Sequence, residues 1–115
     1  MKIVMVKKLM EDGQECKKCR EVAQRLKEND EMRYIDEVIW ADVNDPESAG
    51  YKVACEYGID IAPFFLVDDN GKTKLYKTYL ELKREVFNKE PDAEDIEIEE
   101  KRKPKVDPDE DLYLI

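Results

Sequence analysis

Three short apolar runs constrain this chain more than anything else in it: Ile3-Val4-Met5-Val6, Val38-Ile39-Trp40-Ala41 and Phe64-Phe65-Leu66-Val67. Near-continuous runs of this length suit strands buried in a sheet. The first predicts a strand over 2–9, the second one over 38–43, and the third is entered through Pro63. Between the first two runs the apolar spacing turns helical. Cys19, Val22, Ala23 and Leu26 recur at three- and four-residue steps, which predicts a helix from Cys16 to about Asn29. Glu11-Asp12-Gly13-Gln14 reads as the turn before it, with Asp12 or Gln14 as the capping residue. Asn44-Asp45-Pro46-Glu47 reads as a second helix start, and that helix runs to about Tyr57 and stops at Gly58.

After the third run, Asp68-Asp69-Asn70-Gly71 is hairpin chemistry, because Asn-Gly accepts the positive φ angles of a tight turn. A return strand over 74–78 follows. A last helix over 80–88 turns Leu82, Val86 and Phe87 inward. The order is therefore β-α-β-α-β-β-α, an α/β arrangement with a mixed four-stranded sheet flanked by helices and an antiparallel final pair.

Charge divides the chain. It has 115 residues with 29 acidic, 20 basic and no histidine, for a net −9. Residues 90–115 hold 11 of the acidic and 4 of the basic residues, so the body over 1–89 is nearly neutral. We expect one domain over 1–89 and an acidic, solvated tail over 90–115. Within the tail Ile96 and Ile98 alternate with acids, 101–105 is basic, and Leu112-Tyr113-Leu114-Ile115 is apolar enough to dock on the domain or a partner. An acidic balance argues against nucleic acid and against an anionic membrane surface as partners. No segment approaches the ~20 apolar residues of a membrane helix. The opening residues lack the longer apolar region of a secretory signal, so a cytoplasmic, reducing compartment is expected.

In such a compartment three cysteines point to catalysis, metal binding or inert packing rather than to a structural disulfide. Cys16-Lys17-Lys18-Cys19 carries the chemistry. Two intervening residues at a helix start let the sulfurs approach within bonding distance. Unpaired backbone N–H groups and the helix dipole favour a negative sulfur at Cys16, and Lys17 and Lys18 add positive charge. Cys16 is the expected nucleophile toward a substrate disulfide, and Cys19, one turn inside, the resolving thiol. A CxxC is also half of many zinc sites. The third sulfur is Cys55, and histidine is absent, so a metal would need carboxylates, and an iron–sulfur cluster a second chain.

The segment Tyr57-Gly58-Ile59-Asp60-Ile61-Ala62-Pro63-Phe64-Phe65-Leu66-Val67, taken with the CxxC, resembles the thioredoxin/glutaredoxin superfamily over about residues 2–88. The resemblance implies a thioredoxin-like fold in which Pro63 is a cis-proline facing Cys16 and Cys19. Ala62 would offer its backbone to a bound substrate. Cys16 and Cys19 are then the catalytic pair, and Ala62, Pro63, Lys17 and Lys18 the substrate-binding residues. It implies a thiol–disulfide oxidoreductase working on protein disulfides, or relaying electrons or sulfur, with an unidentified reductant and no cofactor beyond the reversible Cys16–Cys19 disulfide.

This chain also departs from the family. The tryptophan and Gly-Pro of the thioredoxin motif are missing. Met10 stands where thioredoxins bury an aspartate, which leaves water, Glu11 or Lys8 to move the proton of the resolving thiol. The segment 76–81 lacks the glycines with which glutaredoxins bind glutathione.

Cys55 reads as a small buried hydrophobe, Trp40 as core, and Tyr51, Tyr57, Tyr76 and Tyr79 as packing or surface aromatics. Two other function classes stay open: a non-enzymatic binding module with the tail as its arm, and a metal or iron–sulfur carrier using Cys16, Cys19 and Cys55.

Overall fold

The computed structural model describes residues 1–102. Strand β1 (Lys2–Leu9) is followed by helix α1 (Lys17–Glu28), a 3₁₀ turn at Met32–Tyr34, strand β2 (Glu37–Asp42) and helix α2 (Ala49–Tyr57). Strands β3 (Phe64–Asp69) and β4 (Lys72–Tyr76) and helices α3 (Tyr79–Glu85) and α4 (Ala93–Arg102) complete it. The sheet runs β2-β1-β3-β4, with β1 parallel to β2 and antiparallel to β3, and β3 antiparallel to β4. It is a mixed, open, four-stranded sheet with helices on it.

β1 is interior, and its alternation divides two faces. Met5 pairs with Phe65 and Ile3 with Val67, and these four join Val22 and Leu26 of α1 and Leu82 of α3 in the main core. Each fully buried side chain of this kind contributes about 1.5–3 kcal/mol. Val6 opposes Phe64, and both are buried.

Several boundaries differ from the sequence reading. Pro46 does not start α2. Asp42 Oδ1 accepts from Asn44 N–H at 2.9 Å and Asp45 Oδ1 from Glu47 N–H at 3.0 Å, so 42–48 is spent in successive Asx turns. The helix begins at Ala49, and Ser48 Oγ accepts from Asp42 N–H at 3.0 Å, tying that start to β2. At the other end Gly58, with φ 66°, closes α2. Thr78 is no strand residue, because its Oγ1 caps α3 by accepting from Glu81 N–H at 3.1 Å. That cap starts α3 one residue earlier than expected, and the regular helix ends at Glu85.

Trp40 is half-buried rather than core, because β2 is an edge strand none of whose residues is fully buried. The stretch expected to be an acidic, solvated tail begins with a helix. Residues 93–102 form α4, with Asp95 buried between α1 and α3. The expectations for 103–115, the docking of 112–115 among them, lie outside the described residues.

Gly50 sets the approach of α2 to the sheet. A Cβ there would stand 2.4 Å from the Trp40 carbonyl carbon and 2.5 Å from Ala41 N, both of them backbone atoms that cannot swing aside. Gly50→Ala should therefore lower the unfolding free energy by about 1–3 kcal/mol, as overpacking does. Urea titration measures it, and a variant as stable as the parent would show that α2 can lift off the strand freely.

Candidate functional site

The site is built around the end of β1. The chain turns over Met10–Gln14, with Gly13 N–H bonding Met10 O at 2.9 Å and Gln14 N–H bonding Asp12 Oδ1 at 2.9 Å. It then returns alongside β1 through a bridge between Leu9 and Glu15. Cys16 N–H donates to Lys8 O at 2.8 Å. Cys16 keeps a non-helical conformation (φ −54°, ψ 134°), and α1 starts at the next residue with no side chain capping it. The first helical bond, from Arg20 N–H to Cys16 O, spans 3.1 Å.

One turn further, Cys19 is fully buried, and its Sγ accepts from Lys8 N–H at 3.3 Å. Both main-chain polar groups of Lys8 are thus committed to the two cysteines. Burial pushes the Cys19 thiol up to about 12. The Lys8 N–H pulls the other way, and the Cys16 sulfur and the Glu15 carboxylate add to the rise. Cys16 is half-buried and Cys55 exposed, and all three thiols are free.

The register of β3 brings a second segment to the same place. Phe64 opposes Val6, so Ala62 and Pro63 follow on beside Lys7 and Lys8. Pro63 is buried and its peptide bond to Ala62 is cis. Lys17 is exposed, while Lys18 is half-buried and pairs with Glu21 at 3.4 Å within the helix. The structure therefore gathers Cys16, Cys19, Ala62 and Pro63 at one sheet end, with Lys17 and Lys18 in the first turn above.

Cys55 corrects the sequence reading, since it is exposed rather than packed. It lines an apolar groove of about 310 Å³ between α2 and the sheet, together with Lys8, Tyr51, Ile59, Ala62 and Phe64. Residue type alone misplaced Cys55: free cysteine is commonly buried, but the face that α2 presses onto β2 is the one carrying Gly50. Among the described residues no group of three or more Cys, Asp or Glu could hold a metal ion.

Sequence reasoning missed one charged pair. Glu15 meets Lys7 at 2.5 Å, and the Lys7 ammonium sits 4.7 Å from the Trp40 ring centroid. Glu11 and Met10, which the sequence placed near the resolving thiol, are both exposed. The carboxylate whose charge reaches Cys19 is that of Glu15. Its adjacency to Cys16 was visible, but the reverse turn that sets it against Lys7 was not.

A burial-raised thiol predicts its own reactivity. With Cys19 pushed up to about 12, its thiolate fraction at pH 8 falls about 10³-fold below that of an ordinary thiol. Iodoacetamide should label Cys55 and Cys16 of the reduced native protein and leave Cys19 untouched until the chain unfolds, as peptide mapping reads directly. Native labelling of Cys19 at the rate of Cys55 contradicts this account. No protein-family model matches this chain, and neither a curated protein nor a solved structure does.

Proposed function

We propose that this protein is a thiol–disulfide oxidoreductase of thioredoxin-like fold, with Cys16 as attacking and Cys19 as resolving thiol. One observation carries the reading: Cys16 stands at the open, uncapped start of α1, while Cys19 lies one turn inside, buried and held by the Lys8 N–H. The order β-α-β-α-β-β-α over residues 2–85, with a 3₁₀ turn added after α1, and the position of Ala62 and Pro63 beside β1 support it.

The steps balance without a cofactor. The Cys16 thiolate attacks one sulfur of a substrate disulfide, forming a mixed disulfide and releasing the other sulfur as a thiolate. Cys19 gives up its proton and attacks Cys16 Sγ, which closes the Cys16–Cys19 disulfide and releases the substrate's second thiol. Two electrons have passed to the substrate, and an external dithiol restores the pair. The buried Cys19 holds its proton strongly, so this second step needs a base. Glu15 is the carboxylate suited to it, with Lys7 beside it to hold its orientation. Ala62 offers main-chain bonding to an extended substrate, and Lys17 and Lys18 give the mouth a positive rim.

Reduction of a protein disulfide such as that of insulin, with dithiothreitol as donor, tests the reading. Cys16→Ser should abolish turnover. Cys19→Ser should stall as a mixed disulfide visible by mass spectrometry. Turnover by Cys16→Ser equal to that of the parent sinks the proposal, and would favour a scaffold whose cysteines do no work.

A further inference from the structure

Among the described side chains, those that attach the last helix to the body are charged. Of the α4 side chains described, residues 93–97, only Asp95 is buried, and Ile96 is 38% exposed. The apolar core contains no described residue of α4. The described contacts of the helix with the body come from its acidic start. Asp92 and Asp95 cap one another, Asp95 N–H donating to Asp92 Oδ1 at 3.0 Å and Asp92 N–H to Asp95 Oδ2 at 3.1 Å.

The same carboxylates grip two buried cations. Asp95 takes Arg25 Nε at 2.8 Å and Lys83 Nζ at 2.7 Å, and Asp92 takes the Arg25 guanidinium. Every element around this seat contributes charged or polar groups. α1 supplies Arg25 and Glu28, which pair at 2.9 Å, and the segment after it supplies Asn29 and Glu31. α3 supplies Tyr79, whose hydroxyl donates to Glu31, and Lys83, which lies 3.6 Å from that carboxylate. Lys89 reaches Glu31 at 3.4 Å, and Glu94 stands 3.6 Å from Arg25.

We propose that α4 is a strap seated by charge, which opens from the α1/α3 surface as a unit while the α/β body stays folded. Neutralising Asp95 removes the buried carboxylate that Arg25 and Lys83 share, leaving Arg25 with Asp92 and Glu28 and Lys83 with Glu31, and takes no described apolar side chain from the core. Opening would bare Arg25 and Lys83 beside their partners on the body, Glu28 and Glu31. Burial raises the Asp95 carboxyl, but the bonds from Lys83, Arg25 and the Asp92 N–H outweigh it and hold the group below the usual carboxylate range. The latch is therefore complete above the free value of about 4 and weakens as pH falls through the lower, latched value.

Amide hydrogen exchange on the full chain tests this, read for 96–102 against β1 and β3 at pH 7 and pH 3, with intrinsic rates corrected. In the parent, 96–102 should open more readily than β1 and β3 at pH 7, and the gap should widen at pH 3. Asp95→Asn should speed exchange of 96–102 at pH 7 by about 10²-fold or more, leave β1 and β3 protected, and flatten the pH response. Exchange of 96–102 in step with β1 and β3 in the parent overturns the proposal. So does an Asp95→Asn chain in which the strands lose protection too, or one in which 96–102 is unchanged.

Discussion

The main chain of Lys8 is the constraint on which the site depends. Its carbonyl accepts from Cys16 N–H and its amide donates to Cys19 Sγ. One residue at the end of an interior strand thereby fixes the start of α1 and the depth of its second thiol. Such bonds are worth only about 1 kcal/mol each when made, but cost more when a buried partner is left unmatched. The arrangement fixes geometry more than it adds stability. β1 is gripped on both sides by β2 and β3 and covered by helices, so Lys8 is not free to drift.

From that anchor the asymmetry of the two cysteines follows. The strand end leaves Cys16 at the helix mouth, half in solvent, while one helical turn carries Cys19 into full burial. Desolvation then separates two chemically identical groups into a reachable sulfur and a proton-holding one. Glu15 and Lys7 add a charged pair to the same neighbourhood, held by the reverse turn that returns the chain to β1.

Charge has two uses in this protein. At the surface Asp42 and Asp45 shape turns by accepting from main-chain N–H groups two residues on. Around Arg25, Glu31, Lys83 and Asp95 charged side chains are buried and matched. Ion pairs this deep offset their own desolvation only when the geometry is satisfied, and they penalise the loss of either partner. They are suited to holding one helix in one place, and less suited to adding net stability.

The sequence by itself determined the strands, the hairpin at Asn70-Gly71, the amphipathic face of α1 and the position of the CxxC at its start. Those features come from local chemistry: apolar period, turn residues and a helix boundary are written within a few neighbours. Only the tertiary structure decided what depends on distant residues. Asp95 looks like one more tail acid until Arg25, 70 positions earlier, and Lys83 close around it. Trp40 looks like core until the sheet order puts β2 at an edge. Gly50 looks incidental until α2 lies against the backbone of Trp40. Cys55 looks buried until α2 turns it toward a groove. In each case burial and electrostatic partnership belong to the assembled fold, and no local window of the chain contains them.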